Sequence, residues 1–278
     1  MRSVLFAVHP DRSAATDLSA VAKRWWEARG YDVDFAAAEP STPGESSRHW
    51  DFAVSFGGDG TILRTVQVAL PAGTPVLGIN LGRMGFLAQV EPGGMQTAFE
   101  NLVNGEYQVE ERMALAVRVL RADAGADAGS THVALNEAIV ERNAPGHTIR
   151  VGVEIGGRRF LTYVADGLLV CTPTGSTAYN MSARGPVVSP TMRALVLTPV
   201  APHLVFDRSL VIGPEEPVTL TLLDYRPATV ALDGLCLIPL DPGDAVVCSA
   251  SPQPARFVRF GAPDFQAVLR ARFSLADR

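Results

Sequence analysis

The sequence predicts an α/β N-terminal domain with a mostly parallel, Rossmann-like sheet, followed by a β-rich, β-sandwich-like C-terminal domain. Strand-like and helix-like patterns alternate over residues 3–104, which is typical of a parallel sheet with crossover helices. From about Tyr107 the helical spacing gives way to short β-type runs separated by turns, as in sandwiches and barrels. We therefore expect domains at 1–108 and 109–261, with the segment 262–278 packing back on the first domain.

The N-terminal half alternates short apolar runs, which mark strands, with apolar residues spaced three to four positions apart, which mark helices. Gly30 follows the first helical pattern as a natural C-cap. The expected strands are Ser3–Val8, Tyr31–Ala37, Asp51–Phe56 and Pro75–Ile79. The expected helices are Asp11–Arg29, Thr61–Leu70 and Gly94–Asn104, and helical spacing returns at Asp264–Phe273.

The C-terminal half is a series of short runs with β character, interrupted by turn signals such as Gly156-Gly157. The expected strands are Ala114–Leu120, Val133–Val140, Ile149–Ile155, Arg159–Val164, Gly167–Cys171, Leu210–Ile212, Val218–Leu223, Thr229–Leu232 and Ala245–Ser249. Many short strands at this spacing predict an all-β or β-rich domain.

Composition limits the possible partners and compartment. The chain has 278 residues, 47% of them hydrophobic, and a formal net charge of -5, so its overall charge gives no reason to expect nucleic acid or anionic lipid. No apolar run approaches the ~20 residues of a membrane span, and the N-terminal run is too short for a secretory signal. Three cysteines at wide spacing indicate neither a disulfide framework nor a zinc site. We expect a cytoplasmic protein.

The stretch VSFGGDGTILR at 54–64 joins a strand to a helix through a glycine loop. Such a loop suits phosphate, because glycines let the backbone approach and the helix start presents free N–H groups. Asp59 puts an acid there, with three possible tasks: organising Mg²⁺, accepting a proton from a hydroxyl, or capping the helix. Arg64 lies one turn into the helix and is either a source of positive charge or an ordinary exposed arginine.

Two further stretches point to a nucleotide. DGLLVCTPTGSTAYNMSARGPVVSP at 166–190 runs from an apolar strand into a dense group of hydroxyls, which suits hydrogen bonding to phosphate or ribose, although a plain Ser/Thr turn is the alternative. Asn136 and Glu137 lie in VALNEAIVER, where adjacent strand residues face opposite sides. One of them is expected to face inward, and a ribose diol would satisfy it; an exposed bulge or strand edge is the alternative.

Several familiar sites are absent from the sequence. There is no GxxxxGK[ST] phosphate loop and no GxGxxG dinucleotide fingerprint. The five histidines show no metal-ligand spacing, so we predict no metal site formed by the protein itself.

Taken together and in this order, the motifs resemble the NAD kinase family, which phosphorylates the 2′-hydroxyl of the adenosine ribose of NAD to make NADP. TPTGSTAY is the most specific of them, because lipid kinases and 6-phosphofructokinases carry related GGDGT loops. The matching pieces are GGDGT at 57–61, NLGRMGFL at 80–87, LNEAIVER at 135–142, residues 166–190, TPVAPH at 198–203 and the Leu232-Asp233-Gly234 turn.

The resemblance implies an N-terminal α/β domain, a β-rich NAD-binding domain and roles for individual residues. It assigns the catalytic base to Asp59. The nucleotide-binding positions that it implies, some by motif and His147 only by its offset, are Gly60, Arg64, Phe86, Asn136, Glu137, His147, Asp166, Thr177, Ala178, Tyr179 and Ser182. The chain departs from the common pattern at Arg184, where glycine is usual, and at Leu235, where glutamine is frequent.

The same resemblance implies ATP with Mg²⁺, or inorganic polyphosphate, as phosphoryl donor, NAD as acceptor, and a homodimer or homotetramer. Two other functions stay open from the residues alone. One is another kinase of the diacylglycerol, sphingosine or 6-phosphofructokinase type; the other is a non-catalytic NAD(H)-binding regulator. No basic amphipathic segment favours the lipid branch.

Overall fold

The computed structural model of the protein describes residues 2–36, 48–82, 85–123, 130–203, 206–262 and 264–274. Within these ranges the chain forms two compact units. The N-terminal unit comprises the described residues of Met1–Glu111 and Ala255–Arg278, and the β-rich unit comprises those of Arg112–Pro254. The end of the second expected strand, Ala37, and the last four residues of the expected C-terminal segment lie outside the described residues.

The helices and strands follow in chain order. The first group is β1 (Ser3–Val8), α1 (Ser13–Glu27), β2 (Asp32–Phe35), β3 (Phe52–Gly57), α2 (Asp59–Ala69), β4 (Val76–Asn80), α3 (Met95–Asn104) and β5 (Gln108–Arg112). The second group is β6 (Leu115–Leu120), β7 (Ser130–Ala134), β8 (Glu137–Arg142), β9 (Ile149–Ile155), β10 (Arg158–Ala165), β11 (Gly167–Cys171), α4 (Tyr179–Ser182), β12 (Leu195–Val200), β13 (Leu210–Ile212), β14 (Val218–Leu222), β15 (Ala228–Leu232), β16 (Cys236–Leu240) and β17 (Ala245–Ala250). The last two are β18 (Ala255–Arg259) and α5 (Phe265–Phe273).

The N-terminal unit is built on one six-stranded sheet in the order β2-β1-β3-β4-β18-β5. The pairings of β1 with β2 and β3, of β3 with β4, and of β4 with β18 are parallel. Buried side chains of α1 and α3, among them Trp26 and Phe99, share one core with Phe6 and Phe56 of the strands. Because β3 and β4 are central and wholly buried, the loops after them start from fixed positions.

The β-rich unit contains two six-stranded sheets, β10-β9-β14-β17-β6-β7 and β13-β12-β11-β8-β15-β16. Every pairing given within them is antiparallel. Alternate residues of both sheets, such as Val117 and Val119 from one and Val140 and Leu168 from the other, meet in a common core. The predicted fold class, an α/β domain with a mostly parallel sheet plus a β-sandwich, is confirmed.

One expected strand is wrong, and the difference matters for function. The run Val133–Val140 is not continuous: β7 ends at Ala134 in one sheet, and β8 starts at Glu137 in the other. The chain therefore crosses between the sheets at Leu135 and Asn136, where neither sheet's ladder satisfies the backbone N–H groups. Four strands were not expected, namely β5, β12, β16 and β18.

In the part of the chain that the structure describes, no helix is both long and apolar enough to cross a membrane.

Candidate active site and nucleotide-binding residues

The glycine loop leads from β3 directly into α2, which begins two residues earlier than expected, at Asp59. Gly57 ends the strand and must be glycine, because a Cβ atom there would collide with the side chain of Thr61. Gly58 is the N-cap residue. Gly60 and Arg64 are exposed on the first turns of the helix. This local fold presents the N-terminal backbone amides of a helix beside a carboxylate.

The Asp59 side chain does not bond back to its own helix. Its carboxylate accepts the backbone N–H of Phe86 at 2.9 Å and that of Leu87 at 3.3 Å, from the loop after β4. Gly85 makes this contact possible, since a Cβ atom there would collide with the Asp59 carboxylate. Asp59 is half-buried. This loop, part of the NLGRMGFL stretch at 80–87, therefore holds the predicted base, although its Arg83 and Met84 lie outside the described residues.

A buried ion pair supports this loop from the other side. The Leu87 carbonyl accepts a hydrogen bond from Arg259 Nη1 at 3.2 Å, and Arg259 Nε lies 2.8 Å from Glu110 Oε2. Both charged side chains are only 7% exposed. The pair connects β18 and β5 to the segment that binds the Asp59 carboxylate.

In the β-rich unit, Asn136 and Glu137 are positioned by backbone contacts with two distant segments. The buried carboxylate of Asp233 accepts the N–H groups of Leu135 at 2.7 Å, Asn136 at 2.7 Å and Glu137 at 3.0 Å. Thr172 binds the carbonyls, its hydroxyl donating to Leu135 at 2.6 Å and its N–H to Asn136 at 2.9 Å. The backbone N–H and C=O groups at the crossing between the two sheets thus form hydrogen bonds outside the ladders of either sheet.

Glu137 is a buried acid with unused hydrogen-bonding capacity. It is 7% exposed, and its Oε2 atom has no hydrogen-bond partner within the described chain. Burial, together with the charge of Asp233, raises its pKa to about 8, although the backbone N–H of Tyr179 opposes the rise. Burial also raises the pKa of Asp233 to about 6, against the three backbone hydrogen bonds that favour its charged form. Three backbone donors favour the charged form of Asp233 and a single one that of Glu137, so Glu137 is the member of the pair that more readily keeps a proton.

Most hydroxyls of the 166–190 stretch serve the fold. Ser176 Oγ donates to the carbonyl of Val188 and accepts its N–H, and Thr177 Oγ1 donates to the carbonyl of Thr174 at 3.4 Å. The Thr174 hydroxyl is buried without a partner in the described chain, and Ser182 is exposed. The dense hydroxyl pattern is therefore only partly available to a ligand.

Asp166 and Tyr179 border a common cavity of about 330 Å³. Its lining residues are Ile139, Glu141, Arg142, Asn143, Pro145, Asp166, Gly167, Tyr179 and Val200. Arg142 binds Asp166 through two nitrogens, at 2.8 Å and 3.1 Å. Tyr179 is 38% exposed, so part of this aromatic residue is accessible to a ligand.

The structure thus groups the expected residues within each unit. Asp59 and Phe86 meet in the N-terminal unit, and Asn136, Glu137 and the 177–182 turn lie together in the β-rich unit. His147 is exposed in the loop after β8 and is not among the residues that line the cavity. The sequence did not single out Arg142 or Arg259 as parts of the site. Asp233 was noted only as a turn residue.

An α/β unit with an acid in its glycine loop, joined to a β-sandwich with a preset Asn-Glu pair, defines a nucleotide-binding phosphotransferase. Comparison with known families gives the particular one. Residues 22–107 match the model of the ATP-NAD kinase N-terminal domain, and residues 135–260 match that of the ATP-NAD kinase C-terminal domain. The chain belongs to the NAD kinase family.

Individual relatives agree with this assignment. The chain is 38% identical to NAD kinase 1 of Streptomyces avermitilis, over 97% of this chain and 86% of the relative. It is 42% identical to an NAD kinase of Heliobacterium modesticaldum, over 81% of this chain and 79% of the relative. A crystal structure of an Archaeoglobus fulgidus NAD kinase in complex with ATP has a TM-score of 0.73 at 28% identity, covering 99% of this chain and 98% of that one. The fold also matches yeast NADH kinase, with a TM-score of 0.87 at 20% identity, over 100% of this chain and 89% of that one.

Proposed function

We propose that the protein transfers the γ-phosphoryl group of ATP to the 2′-hydroxyl of the adenosine ribose of NAD, forming NADP and ADP. The observation that carries this proposal is the half-buried Asp59 carboxylate at the start of α2, held by two backbone amides inside an NAD kinase glycine loop. The N-terminal unit supplies the base and the donor phosphate site, and the β-rich unit supplies the NAD site.

Asp59 acts as the general base. Two N–H donors hold its carboxylate in place, and a carboxylate has about four acceptor positions, so it can still take a proton from the attacking hydroxyl. As the ribose oxygen attacks the γ-phosphorus, the bond to the ATP bridging oxygen breaks and ADP leaves. Transfer of the 2′-hydroxyl proton to Asp59 balances the step.

The donor phosphates bind at the glycine loop. Free amides at the start of α2, including that of Gly60, and the exposed Arg64 side chain supply positive partners. In the described ranges no group of three or more His, Cys, Asp or Glu side chains is arranged to hold a metal ion. We expect Mg²⁺ to enter as part of the MgATP substrate, where it would offset phosphate charge.

NAD binds in the β-rich unit. Asn136 and Glu137 bind the adenosine ribose diol, and the unpartnered Glu137 Oε2 supplies the unused hydrogen-bonding position. Tyr179 stacks on a base, the Thr177–Ala178 backbone and Ser182 add polar contacts, and Asp166 binds through the cavity that it shares with Tyr179. Phe86 and His147 are assigned as peripheral nucleotide contacts, on the strength of the family resemblance alone.

Finer properties belong to the same proposal. We expect a cytoplasmic homodimer or homotetramer that uses ATP or inorganic polyphosphate. A panel of NAD, NADH, diacylglycerol and fructose 6-phosphate as acceptors separates this function from that of the related lipid and sugar kinases. NAD binding without NADP formation, in the presence of ATP and Mg²⁺, would instead indicate a non-catalytic regulator.

The direct test is an NADP-formation assay with wild-type protein and Asp59→Asn, using ATP and polyphosphate in parallel. Loss of the base is expected to lower kcat by about 10²–10⁴-fold, while the affinity for NAD changes little. Asp51→Asn is the matched control: Asp51 lies just before β3, is exposed, and accepts one backbone N–H, that of Ser3 at 2.8 Å. Near-normal turnover of Asp59→Asn would show that Asp59 is not the base.

A further inference from the structure

Three consecutive backbone N–H groups converge on one side chain at the crossing between the two sheets of the β-rich unit. The donors are Leu135, Asn136 and Glu137, and the acceptor is the Asp233 carboxylate, 96 to 98 residues further along the chain. The Asp233 N–H in turn donates to the Glu137 carbonyl at 3.0 Å. Asp233 is 8% exposed and adopts a φ of +50°, a left-handed conformation that a non-glycine residue enters only at a cost.

The carbonyl side of the same segment is held as tightly. Thr172 binds the carbonyls of Leu135 and Asn136, and Gly175 packs so closely on the Asn136 carbonyl that a Cβ atom there would collide with it. With the backbone bound on both sides, the directions of the Asn136 and Glu137 side chains are set before a ligand arrives. Such preorganisation lowers the entropy cost of binding.

We propose that Asp233 is the positioning residue of the NAD site: its carboxylate fixes the backbone of Asn136 and Glu137 so that their side chains are directed at the ribose. This proposal rests on the proposed function, because it assigns the ribose contact to those two side chains. Asp233 itself does not touch substrate; it acts through the three amides.

Asp233 also acts on Glu137 through its charge. The titratable groups that face Glu137 are Asp233 from the turn after β15, Tyr179 from α4 and Cys171 from β11, its direct partner across the sheet. Asp233 is the one whose charge raises the Glu137 pKa. Replacing it with a neutral residue therefore lowers that pKa, in addition to loosening the backbone.

The test compares Asp233→Asn with Asp244→Asn. Asparagine tolerates the left-handed conformation at 233 better than most residues. Asp244 is a buried control in the same unit: it is 2% exposed, accepts the N–H groups of Ala122 at 2.9 Å and Asp241 at 3.0 Å, and pairs with Arg121 at 2.6 Å. Both variants lose stability, but Asp244 has no contact with residues 135–137 among the described interactions.

For Asp233→Asn we expect the KM for NAD to rise about tenfold or more, the KM for ATP to stay within about twofold, and the inflection in the pH profile of the NAD KM to move to lower pH. Asp244→Asn keeps the wild-type NAD KM and pH profile. Equal NAD KM values and equal pH profiles in the two variants would overturn the proposal, because Asp233 would then be a buried carboxylate with a structural role only.

Amide hydrogen exchange of the wild-type protein tests the same point without any substitution. If Asp233 presets the segment, the amides of residues 135–137 are protected without NAD as strongly as with it. Fast exchange that slows only when NAD is added overturns the proposal, even if Asp233→Asn cannot be obtained folded. If wild-type protein forms no NADP, the proposed function fails, while amide protection and the binding constant for NAD still decide the role of Asp233.

Discussion

Asp59 and Asp233 are two carboxylates held by backbone amides of distant segments, one in each unit, and they are held to different degrees. Asp59 accepts two N–H groups, at 2.9 Å and 3.3 Å, and stays half-buried on the first turn of a helix. Asp233 accepts three, at 2.7, 2.7 and 3.0 Å, in a buried turn.

This difference in the number of amide donors fits the proposed roles, general base for Asp59 and positioning residue for Asp233. A buried carboxylate with three amide donors is fixed in position and has little capacity left for substrate. A half-buried carboxylate with two donors is oriented but can still accept a proton. We therefore base the two proposed roles on the number of amide donors and on burial, rather than on residue type.

The largest expected effect concerns the support of Asp59. Arg259→Gln removes a buried ion-pair partner of Glu110 and a donor to the Leu87 carbonyl, so we expect the free energy of unfolding to fall by about 3–5 kcal/mol. Arg256→Gln breaks a neighbouring pair with Glu111 that is 45% and 53% exposed, and is expected to cost at most about 1 kcal/mol. Urea unfolding of both variants measures the contrast. Equal losses in the free energy of unfolding would mean that the loop segment binding Asp59 does not depend on the buried pair.

The position of the Asp59 carboxylate is tested by a substitution at Gly85. In Gly85→Ala the new methyl group takes the space of the Asp59 carboxylate, so the carboxylate or the loop must shift. A displacement of about 1 Å at a catalytic group costs on the order of 10²-fold in kcat. Gly93→Ala, whose added Cβ meets nothing within 4 Å, is the control in the same unit. If the kcat of Gly85→Ala stays near the wild-type value, a precisely oriented Asp59 is not required. The number of amide donors would then not distinguish the functions of Asp59 and Asp233.

A pH-dependent effect is expected at Glu137. Its pKa in the folded protein, about 8, lies above the usual 4.5, so the folded state keeps a proton that the unfolded state releases between those values. The resulting stability is fully present below about pH 4.5 and is lost as pH rises through 8. Glu137→Gln imitates the protonated acid and avoids this loss.

We therefore expect the Tm of Glu137→Gln to rise relative to wild type between pH 5.5 and 8.5, by about 6–12 °C for roughly 3 kcal/mol. Glu141→Gln, the same change at a half-buried residue of the same strand, is the control. A constant difference between wild type and Glu137→Gln across this pH range would place the proton elsewhere. The amide-bound Asp233 would then not be the ionised member of the pair.

The sequence predicted the elements whose periodicity is local. β1, β9, β11 and β13 have the expected bounds, and the glycine loop led to Asp59 because strand, glycines and helix are contiguous. The β7–β8 break was hidden, because VALNEAIVER has an unbroken β pattern and the residue that stabilises the crossing is 96 to 98 positions away.

The role of Asp233 could not be predicted from the sequence for a second reason: a local turn was enough to explain an aspartate at this position. Asp-Gly between two strands is a common hairpin turn, and Asp233 and Gly234 do have φ values of +50° and +66°. Nothing in that pattern shows that the side chain leaves the turn to bind a distant backbone. Similarly, β18 lies after the β-rich region in sequence, and only the tertiary structure pairs it with β4 in the first sheet.

The smallest expected effect concerns a carboxylate held by a side chain instead of amides. Asp166 is bound by Arg142 alone among the described side chains, and the two are 36% and 28% exposed, so solvent screens the pair. A double-mutant cycle of Arg142→Gln and Asp166→Asn is expected to give a coupling in stability below about 1 kcal/mol. The two single variants are expected to change the KM for NAD by about twofold to fivefold, since both residues line one cavity. A coupling of 3 kcal/mol or more would show that a partly exposed side-chain partner anchors an acid as firmly as buried backbone amides do. The number of amide donors and the burial, which distinguish Asp233 from Asp59, would then not be what fixes a carboxylate in this protein.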